Sequence, residues 1–143
     1  VGIVSKSGSL SYEVICLIAE MGYGFSTIIC VGGDPVIGTS CAEALKEFVN
    51  DDETKAIILA GEIGGTDEID RVDIIQKTDK PVIAYISGHS APSKKKMGHA
   101  GAIINGHQDT AQAKSKILRD AGALVVEKIE NIPQMLTVLK NLK

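Results

Sequence analysis

The sequence predicts an α/β domain in which a mainly parallel sheet carries helices on both faces, giving three layers. Short apolar stretches alternate along the chain with stretches whose apolar residues recur at helical spacing. The apolar stretches are continuous runs, which is typical of parallel strands buried on both faces. Turns rich in Gly and Ser follow several runs, and right-handed crossovers bring such turns together at the carboxyl edge of the sheet.

The apolar runs predict six strands. They are residues 1–4, 25–31, 56–60, 81–86, 102–104 and 124–126. The second run is rich in β-branched residues, which favour strands. Pro81 stands at the start of the fourth run, where its missing N–H matters least.

Helical spacing between the strands predicts five helices. Their inward positions are Leu10, Val14, Leu17, Ile18 and Met21; Cys41, Leu45, Phe48 and Val49; Ile69, Val72 and Ile75; Ala113, Ile117, Leu118 and Ala121; and Ile132, Met135, Leu136, Leu139 and Leu142. Ser40 with Glu43 and Asn131 with Gln134 have the spacing of capping boxes, and Pro133 suits a first helical turn.

Size and composition exclude several classes of function. The 143 residues suit one domain, which we expect to span residues 1–143. A net charge of -3 and an aromatic fraction of 3% argue against nucleic-acid and anionic membrane partners. No apolar run approaches the ~20 residues of a membrane helix.

The cysteines indicate neither zinc nor disulfides. Cys16, Cys30 and Cys41 are odd in number and form no C-x-x-C pair, so we expect no metal. Apolar neighbours predict that Cys16 and Cys30 are buried. Free cysteines indicate a reducing compartment.

The turn after the first strand has the arrangement of an anion site. Ser7, Gly8 and Ser9 lie between a strand and a helix, where backbone N–H groups and the helix dipole face an anion. The glycine spacing fits neither a P-loop nor G-x-G-x-x-G. An ordinary turn with a Ser N-cap remains the alternative.

Two further glycine-rich turns are expected at the same edge. Gly32 and Gly33 follow the second strand and expose backbone N–H groups to a ligand. Glu62 lies among glycines after the third strand. It is either a solvated glutamate or a carboxylate that orients a nearby histidine.

His99 is the candidate reactive group. It follows a loop rich in Gly, Pro, Ser and Lys and stands among small residues, where other backbone can approach. It can act as an acid, base, ligand or nucleophile, or be an exposed histidine without chemistry. The run from Lys94 to Lys96 is either solvated or attracts an anion to His99. His89 and His107 are predicted to be surface residues.

Five blocks in this order resemble the α subunit of succinyl-CoA synthetase (succinate–CoA ligase). They are residues 2–13 (GIVSKSGSLSYE), 32–35 (GGDP), 61–65 (GEIGG), 91–92 (AP) and 97–103 (MGHAGAI). The resemblance spans about three quarters of the chain. It implies a flavodoxin-like fold and the second, C-terminal domain of that subunit, which bears the phosphohistidine.

The resemblance also implies roles for individual residues. His99 matches the histidine that is phosphorylated, and Glu62 matches the glutamate that contacts it. Ser7, Gly8 and Ser9 match the turn whose helix points at the phosphohistidine. The paired glycines Gly32 and Gly33 match the region that receives the carboxylate substrate.

The implied reaction is reversible formation of succinyl-CoA from succinate, CoA and a nucleoside triphosphate. The nucleotide, as its Mg complex, would bind an ATP-grasp β subunit, and CoA would bind an N-terminal Rossmann domain that is absent from this chain. We therefore expect an α-subunit fragment that is inactive alone and binds at most phosphate. The implied location is the bacterial or archaeal cytoplasm or the mitochondrial matrix.

Two departures from the family pattern leave alternatives open. Pro35-Val36-Ile37 lacks the usual aromatic residue and Asn, and Ser93-Lys94-Lys95-Lys96 replaces a Gly and Arg pair while keeping positive charge. A related ligase of the citrate or malate type is one alternative. A non-catalytic flavodoxin-like module that binds an anion or docks a partner is another.

Overall fold

The computed structural model describes residues 1–139, which form a five-stranded, wholly parallel sheet flanked by helices. The strands are β1 (Gly2–Ser5), β2 (Ile28–Cys30), β3 (Ile57–Gly61), β4 (Val82–Ile86) and β5 (Leu124–Val126). The helices are α1 (Gly8–Glu20), α2 (Cys41–Asn50), α3 (Val72–Lys77), α4 (Ala111–Asp120) and α5 (Ile132–Val138). The prediction of an α/β fold is confirmed.

Two apolar layers sandwich the sheet. On one face, Val14 and Ile18 of α1 and Leu136 of α5 pack against alternate strand residues such as Ile3 and Ile58. On the other, α2, α3 and α4 cover the intervening strand residues. That layer includes Val4, Ile57, Leu59, Ala84, Leu45, Phe48, Ile75 and Leu118. Because successive strand residues point to opposite faces, continuous apolar runs supply both layers.

The strand order β2-β1-β3-β4-β5 defines where a site can form. The chain moves outward from β1 to β2 and then returns to the other side of β1 to form β3. This is the order of the flavodoxin-like fold, in which the turns after the two strands at the reversal open a crevice at the carboxyl edge. Here those turns carry Ser7 and Glu62.

The predicted strand at residues 102–104 is wrong. This segment is irregular, although Ala102 and Ile104 are buried against the core. Its backbone bonds to its own loop, since the amide of Met97 donates to the Ala102 carbonyl and the amide of Lys94 donates to the Ile104 carbonyl. Its apolar character therefore reflects coverage of the core rather than sheet pairing.

The predicted burial of Cys16 and Cys30 is also wrong, because both are exposed. Cys16 lies between Val14 and Ile18, which face the sheet, so it points away from it. Cys30 lies on β2, the edge strand, which is shorter than predicted. Cys41 is buried as predicted.

The helix termini follow the sequence signals in part. Ser7 caps α1, and Ser40 with Glu43 forms the expected capping box on α2. Asn131 forms no side-chain cap and no capping box with Gln134, because a 3-10 turn (Ile129–Asn131) leads directly into α5. α3 is shorter than predicted, although Ile69 before it is still buried. Leu142 lies outside the described residues.

Within residues 1–139, no helix combines the length and the apolar character needed to cross a membrane.

Candidate functional site

A hydrogen bond between His99 and Glu62 is the centre of the candidate site. His99 Nδ1 lies 2.7 Å from Glu62 Oε2, across 37 residues of sequence. Glu62 directly follows β3, and His99 belongs to the loop after β4. The two side chains therefore meet at the carboxyl edge of the sheet, as expected from parallel strands that end side by side.

Glu62 is not a solvated glutamate. The residue is 9% exposed, and burial raises the pKa of its carboxyl above the usual range, against the opposing effect of the His99 hydrogen bond. The His99 side chain is more open, at 38% exposed. The imidazole is thus held on one side by protein and reaches solvent on the other.

The Ser7 turn (residues 5–11) lies across an open cleft from this pair. The cleft measures about 390 Å³, and its lining includes Ser7, Ser9, Glu62 and His99. Ser7 caps α1 by accepting from the Leu10 amide at 3.3 Å. The amides of Gly8 and Ser9 precede the first intrahelical bond, so the turn directs N–H groups and the positive end of the helix dipole to this end of α1.

The His99 loop (residues 87–105) is held by backbone bonds at its tip. The Ala102 amide donates to the His99 carbonyl, and the His99 amide donates to the Met97 carbonyl. The Gly101 amide donates to the Gly33 carbonyl at 2.8 Å, which joins this loop to the turn after β2. Small residues at the tip permit these close approaches.

Gly33 lies directly against the imidazole of His99. A Cβ at this position would lie 2.2 Å from His99 Nδ1, so only glycine leaves room for the ring. Gly32 adopts φ +89, which glycine tolerates. Gly33 supports the His99 loop in the structure, and the contact of Gly32 and Gly33 with a carboxylate substrate stays a prediction.

A second cleft of about 570 Å³ opens on the other side of Glu62. Lys6, Asp34, Asp67 and Asn105 contribute its polar lining. Lys6 Nζ lies 3.5 Å from Asp67 Oδ2. Burial lowers the pKa of Lys6, but Glu68 and Asp67 outweigh that effect and hold it above the ordinary value.

The remaining predicted residues lie outside the His99–Glu62 contact. His89, His107 and the lysines at 94–96 are exposed, as expected for surface positions. Lys94 adopts φ 60, an unusual conformation for a residue other than glycine. Within residues 1–139, no cluster of three or more His, Cys, Asp or Glu side chains is placed to hold a metal ion.

Two residues beside Glu62, Lys114 and Glu68, were not predicted from the sequence. Both side chains are fully buried, and Lys114 Nζ lies 2.6 Å from Glu68 Oε2. Lys114 stands among Ala113, Ile117 and Leu118 on a face that could have been recognised as inward. Its charge alone favours a solvated position, since an unpaired lysine is almost never buried.

The arrangement suits nucleophilic chemistry at one atom of His99. An ionised carboxylate only accepts hydrogen bonds, so the contact with ionised Glu62 requires a proton on Nδ1. In the neutral ring, Nε2 then carries the lone pair. With Glu62 orienting the ring and a helix N-terminus lining the same cleft, Nε2 can accept an electrophile whose negative charge the helix end stabilises.

Comparison with known proteins gives one consistent family. The CoA-ligase family model matches residues 4–124. Succinate–CoA ligase [ADP-forming] subunit alpha 1 of Archaeoglobus fulgidus is 48% identical and is matched over 92% of this chain and 45% of its own length. The corresponding α subunit of Aquifex aeolicus is 49% identical, matched over 100% and 47%. That of Staphylococcus epidermidis is 50% identical, matched over 85% and 41%.

A solved structure gives the same result at lower identity. ATP citrate lyase from Methanothrix soehngenii in complex with citrate and coenzyme A superposes with a TM-score of 0.87 at 29% identity, covering 99% of this chain and 25% of that one. This chain spans about half the length of the curated relatives it matches. Since the family model covers the fold from β1 to the start of β5, including every turn of the site, the chain belongs to the CoA-ligase family.

Proposed function

We propose that this domain is the phosphohistidine-carrying part of an acid–CoA ligase, with His99 as the phosphoryl carrier. The observation that carries the proposal is the 2.7 Å bond between His99 Nδ1 and Glu62, on the rim of a cleft lined by the Ser7 turn. The named succinate–CoA ligase α subunits support succinate as the acid and ADP as the nucleotide product.

The reaction follows from the free lone pair on Nε2. This atom attacks the terminal phosphorus of a nucleoside triphosphate, a P–N bond forms, and the bond to the departing diphosphate breaks. The ring becomes cationic, and the Glu62 carboxylate stabilises that charge through Nδ1–H. The N-terminus of α1, with Ser7, Gly8 and Ser9, offsets the charge of the bound phosphoryl group.

The later steps consume the phosphoryl group. A carboxylate oxygen of the acid attacks phosphorus and releases the imidazole, which leaves an acyl phosphate. The thiolate of CoA then attacks the acyl carbon, forming the thioester and releasing inorganic phosphate. The Mg-nucleotide and CoA would bind a β subunit and a Rossmann domain outside this chain, and Gly32 and Gly33 would lie near the acid. Such an assembly belongs in the bacterial or archaeal cytoplasm or the mitochondrial matrix.

The test uses the complete protein that contains this chain, together with its β subunit and nucleoside triphosphate labelled at the terminal phosphate. We expect acid-labile, base-stable label on the wild type and none on His99→Gln. The matched control is His107→Gln, which changes an exposed histidine away from the cleft. Label that persists in His99→Gln would overturn the proposal. Phosphate binding without any labelling would favour the docking-module alternative.

One observation supports citrate as an alternative acid substrate. The structural similarity to a citrate-bound ATP citrate lyase covers 99% of this chain, so citrate is a competing substrate. Release of label from the phosphorylated protein on adding succinate plus CoA, but not citrate or malate plus CoA, supports the succinate assignment. Comparing ATP with GTP as the label donor assigns the nucleotide.

A further inference from the structure

A buried ion pair encloses the backbone of the Glu62 turn (residues 61–65). Lys114 on α4 is 0% exposed, and its ammonium makes three hydrogen bonds. Nζ donates to the Glu62 carbonyl at 2.8 Å, the Gly64 carbonyl at 2.8 Å and Glu68 Oε2 at 2.6 Å. An ammonium has three protons, so these contacts use its full donor capacity.

Glu68 completes the enclosure from the opposite side. Its other oxygen, Oε1, accepts from the Glu62 amide at 2.9 Å. The N–H and the C=O of Glu62 are therefore both bonded to the same ion pair. The side chain is the part of Glu62 that extends beyond this enclosure, and it reaches His99.

Stability alone does not account for this pair. Removing two charges from water is costly, and apolar side chains of similar volume commonly stabilise a core as well or better. Apolar residues could not, however, bond the two carbonyls and the amide of the turn. The contacts made by the pair thus serve to position the backbone of the Glu62 turn rather than to fill the core.

We propose that Lys114 and Glu68 are positioning residues that fix the direction of the Glu62 carboxylate, and through it the nitrogen of His99 that carries the proton. The inference deepens the proposed function and rests on it for its catalytic meaning. The pair keeps Glu62 aligned with Nδ1, which leaves Nε2 as the nucleophile. Neither residue touches the reacting atoms.

The test reads the tautomer of His99 from the nitrogen chemical shifts of its ring, in the full chain at alkaline pH. The Lys114→Met/Glu68→Leu double variant removes both charges together, so it leaves no unpaired buried ion. We expect the wild type to hold the Nδ1–H form and the double variant to revert to the mixed tautomers of a free imidazole. Glu62→Gln provides the reference for loss of the carboxylate, and the ring shifts of His107 should not change.

Labelling of the complete enzyme provides a second readout. The double variant should phosphorylate His99 about 10- to 100-fold more slowly, the loss expected from small misplacement of a catalytic group. A folded double variant that keeps the Nδ1–H form would overturn the inference, even with a lowered melting temperature. If the double variant does not fold, the His99 tautomer is measured in the isosteric Glu68→Gln variant instead. An unchanged tautomer in that variant would also overturn the inference.

The two proposals fail separately. Absence of label on wild-type His99, with a tautomer that still responds to the double variant, removes the proposed function and leaves the positioning role of the pair. Label on His99, with a tautomer that does not change in the double variant, supports the proposed function and removes the positioning role of the pair.

Discussion

The two turns that flank the His99 cleft are held in opposite ways. In the Ser7 turn, the hydrogen bonds of Ser7 itself are made within four positions, since the hydroxyls of Ser5 and Ser11 donate to the Ser7 carbonyl and Ser7 caps α1. The Glu62 turn is fastened by Lys114, which lies 50 and 52 residues away from the carbonyls that it binds. The bonds at Ser7 are local, whereas those to the Glu62 and Gly64 carbonyls come from a side chain that only the tertiary fold brings close.

This difference predicts how strongly a substitution at each turn should lower the stability of the protein. Local hydrogen bonds to exposed or half-buried groups contribute about 1 kcal/mol each, because water competes for both partners. A charged group that loses its partner in the core has no water to replace the lost hydrogen bonds. Substitutions that disturb the Glu62 turn should therefore cost more stability than substitutions in the Ser7 turn.

The largest effect is expected from Lys114→Met. It leaves the Glu68 carboxylate buried without its cation, which should lower the free energy of unfolding by about 3–5 kcal/mol. Denaturant unfolding measures the loss. Lys116→Met is the matched control on the same helix, because its side chain is 73% exposed and its ion pair with Asp120 should contribute at most about 1 kcal/mol. Similar losses in both variants would contradict the role of burial.

Gly64→Ala should destabilise next most strongly. Gly64 has φ 87, and a Cβ there would lie 2.0 Å from the Gly101 carbonyl oxygen, which is backbone of the His99 loop. Overpacking and left-handed backbone together should cost about 3 kcal/mol. Gly65→Ala shares the positive φ but meets open space, so about 1 kcal/mol is expected. Equal unfolding midpoints for the two variants would show that contact with the His99 loop is unimportant.

Gly33→Ala tests the contact between the turn after β2 and the His99 ring. The new methyl group would meet the His99 ring, so we expect a loss of about 2 kcal/mol and displacement of the imidazole from Glu62. Ring chemical shifts of His99 report the displacement. Gly38→Ala, in the same connection, places its methyl group in open space and should be neutral or slightly stabilising. An unshifted His99 ring in Gly33→Ala would contradict the steric argument.

The fold and part of the site could be predicted because their signals are local or topological. Continuous apolar runs indicated parallel strands, and the Ser7 cap could be recognised from its position before a helical pattern. Parallel strands ending at one edge led to the expectation that Glu62 and His99 converge, and the structure contains that contact. Their catalytic roles remain predictions, as do the substrate contacts of Gly32 and Gly33.

The rest depended on contacts that no local pattern encodes. Lys114 looks like a solvated residue until the fold brings it beside Glu68, which is 46 residues away. The stretch at residues 102–104 has strand-like composition, but it packs on the core outside the sheet and bonds within its own loop. Burial of Cys30 failed as a prediction because strand position in the sheet, rather than apolar neighbours, decides exposure at an edge.

Ser7→Ala should have a smaller effect on stability but a specific effect on the site. Loss of the N-cap should cost about 1 kcal/mol. Ser40→Ala removes an equivalent cap from α2 and should cost a similar amount. In the labelling assay that tests the proposed phosphoryl transfer to His99, only Ser7→Ala should slow labelling, because Ser7 lines the cleft and Ser40 does not. Equal labelling rates in the two variants would count against an anion site at the Ser7 turn.

Lys94→Gly is expected to stabilise the protein slightly, and it separates local strain from long-range contacts. Lys94 is exposed and holds φ 60, the only positive φ outside glycine within residues 1–139. Relief of this strain outweighs the extra freedom of glycine in the unfolded chain, so unfolding should require about 0.5 kcal/mol more. Lys95→Gly removes the same charge without a positive φ and should destabilise slightly. If both variants raise the denaturation midpoint, loss of charge rather than relief of strain is responsible; if both lower it, the freedom of glycine outweighs any strain at Lys94.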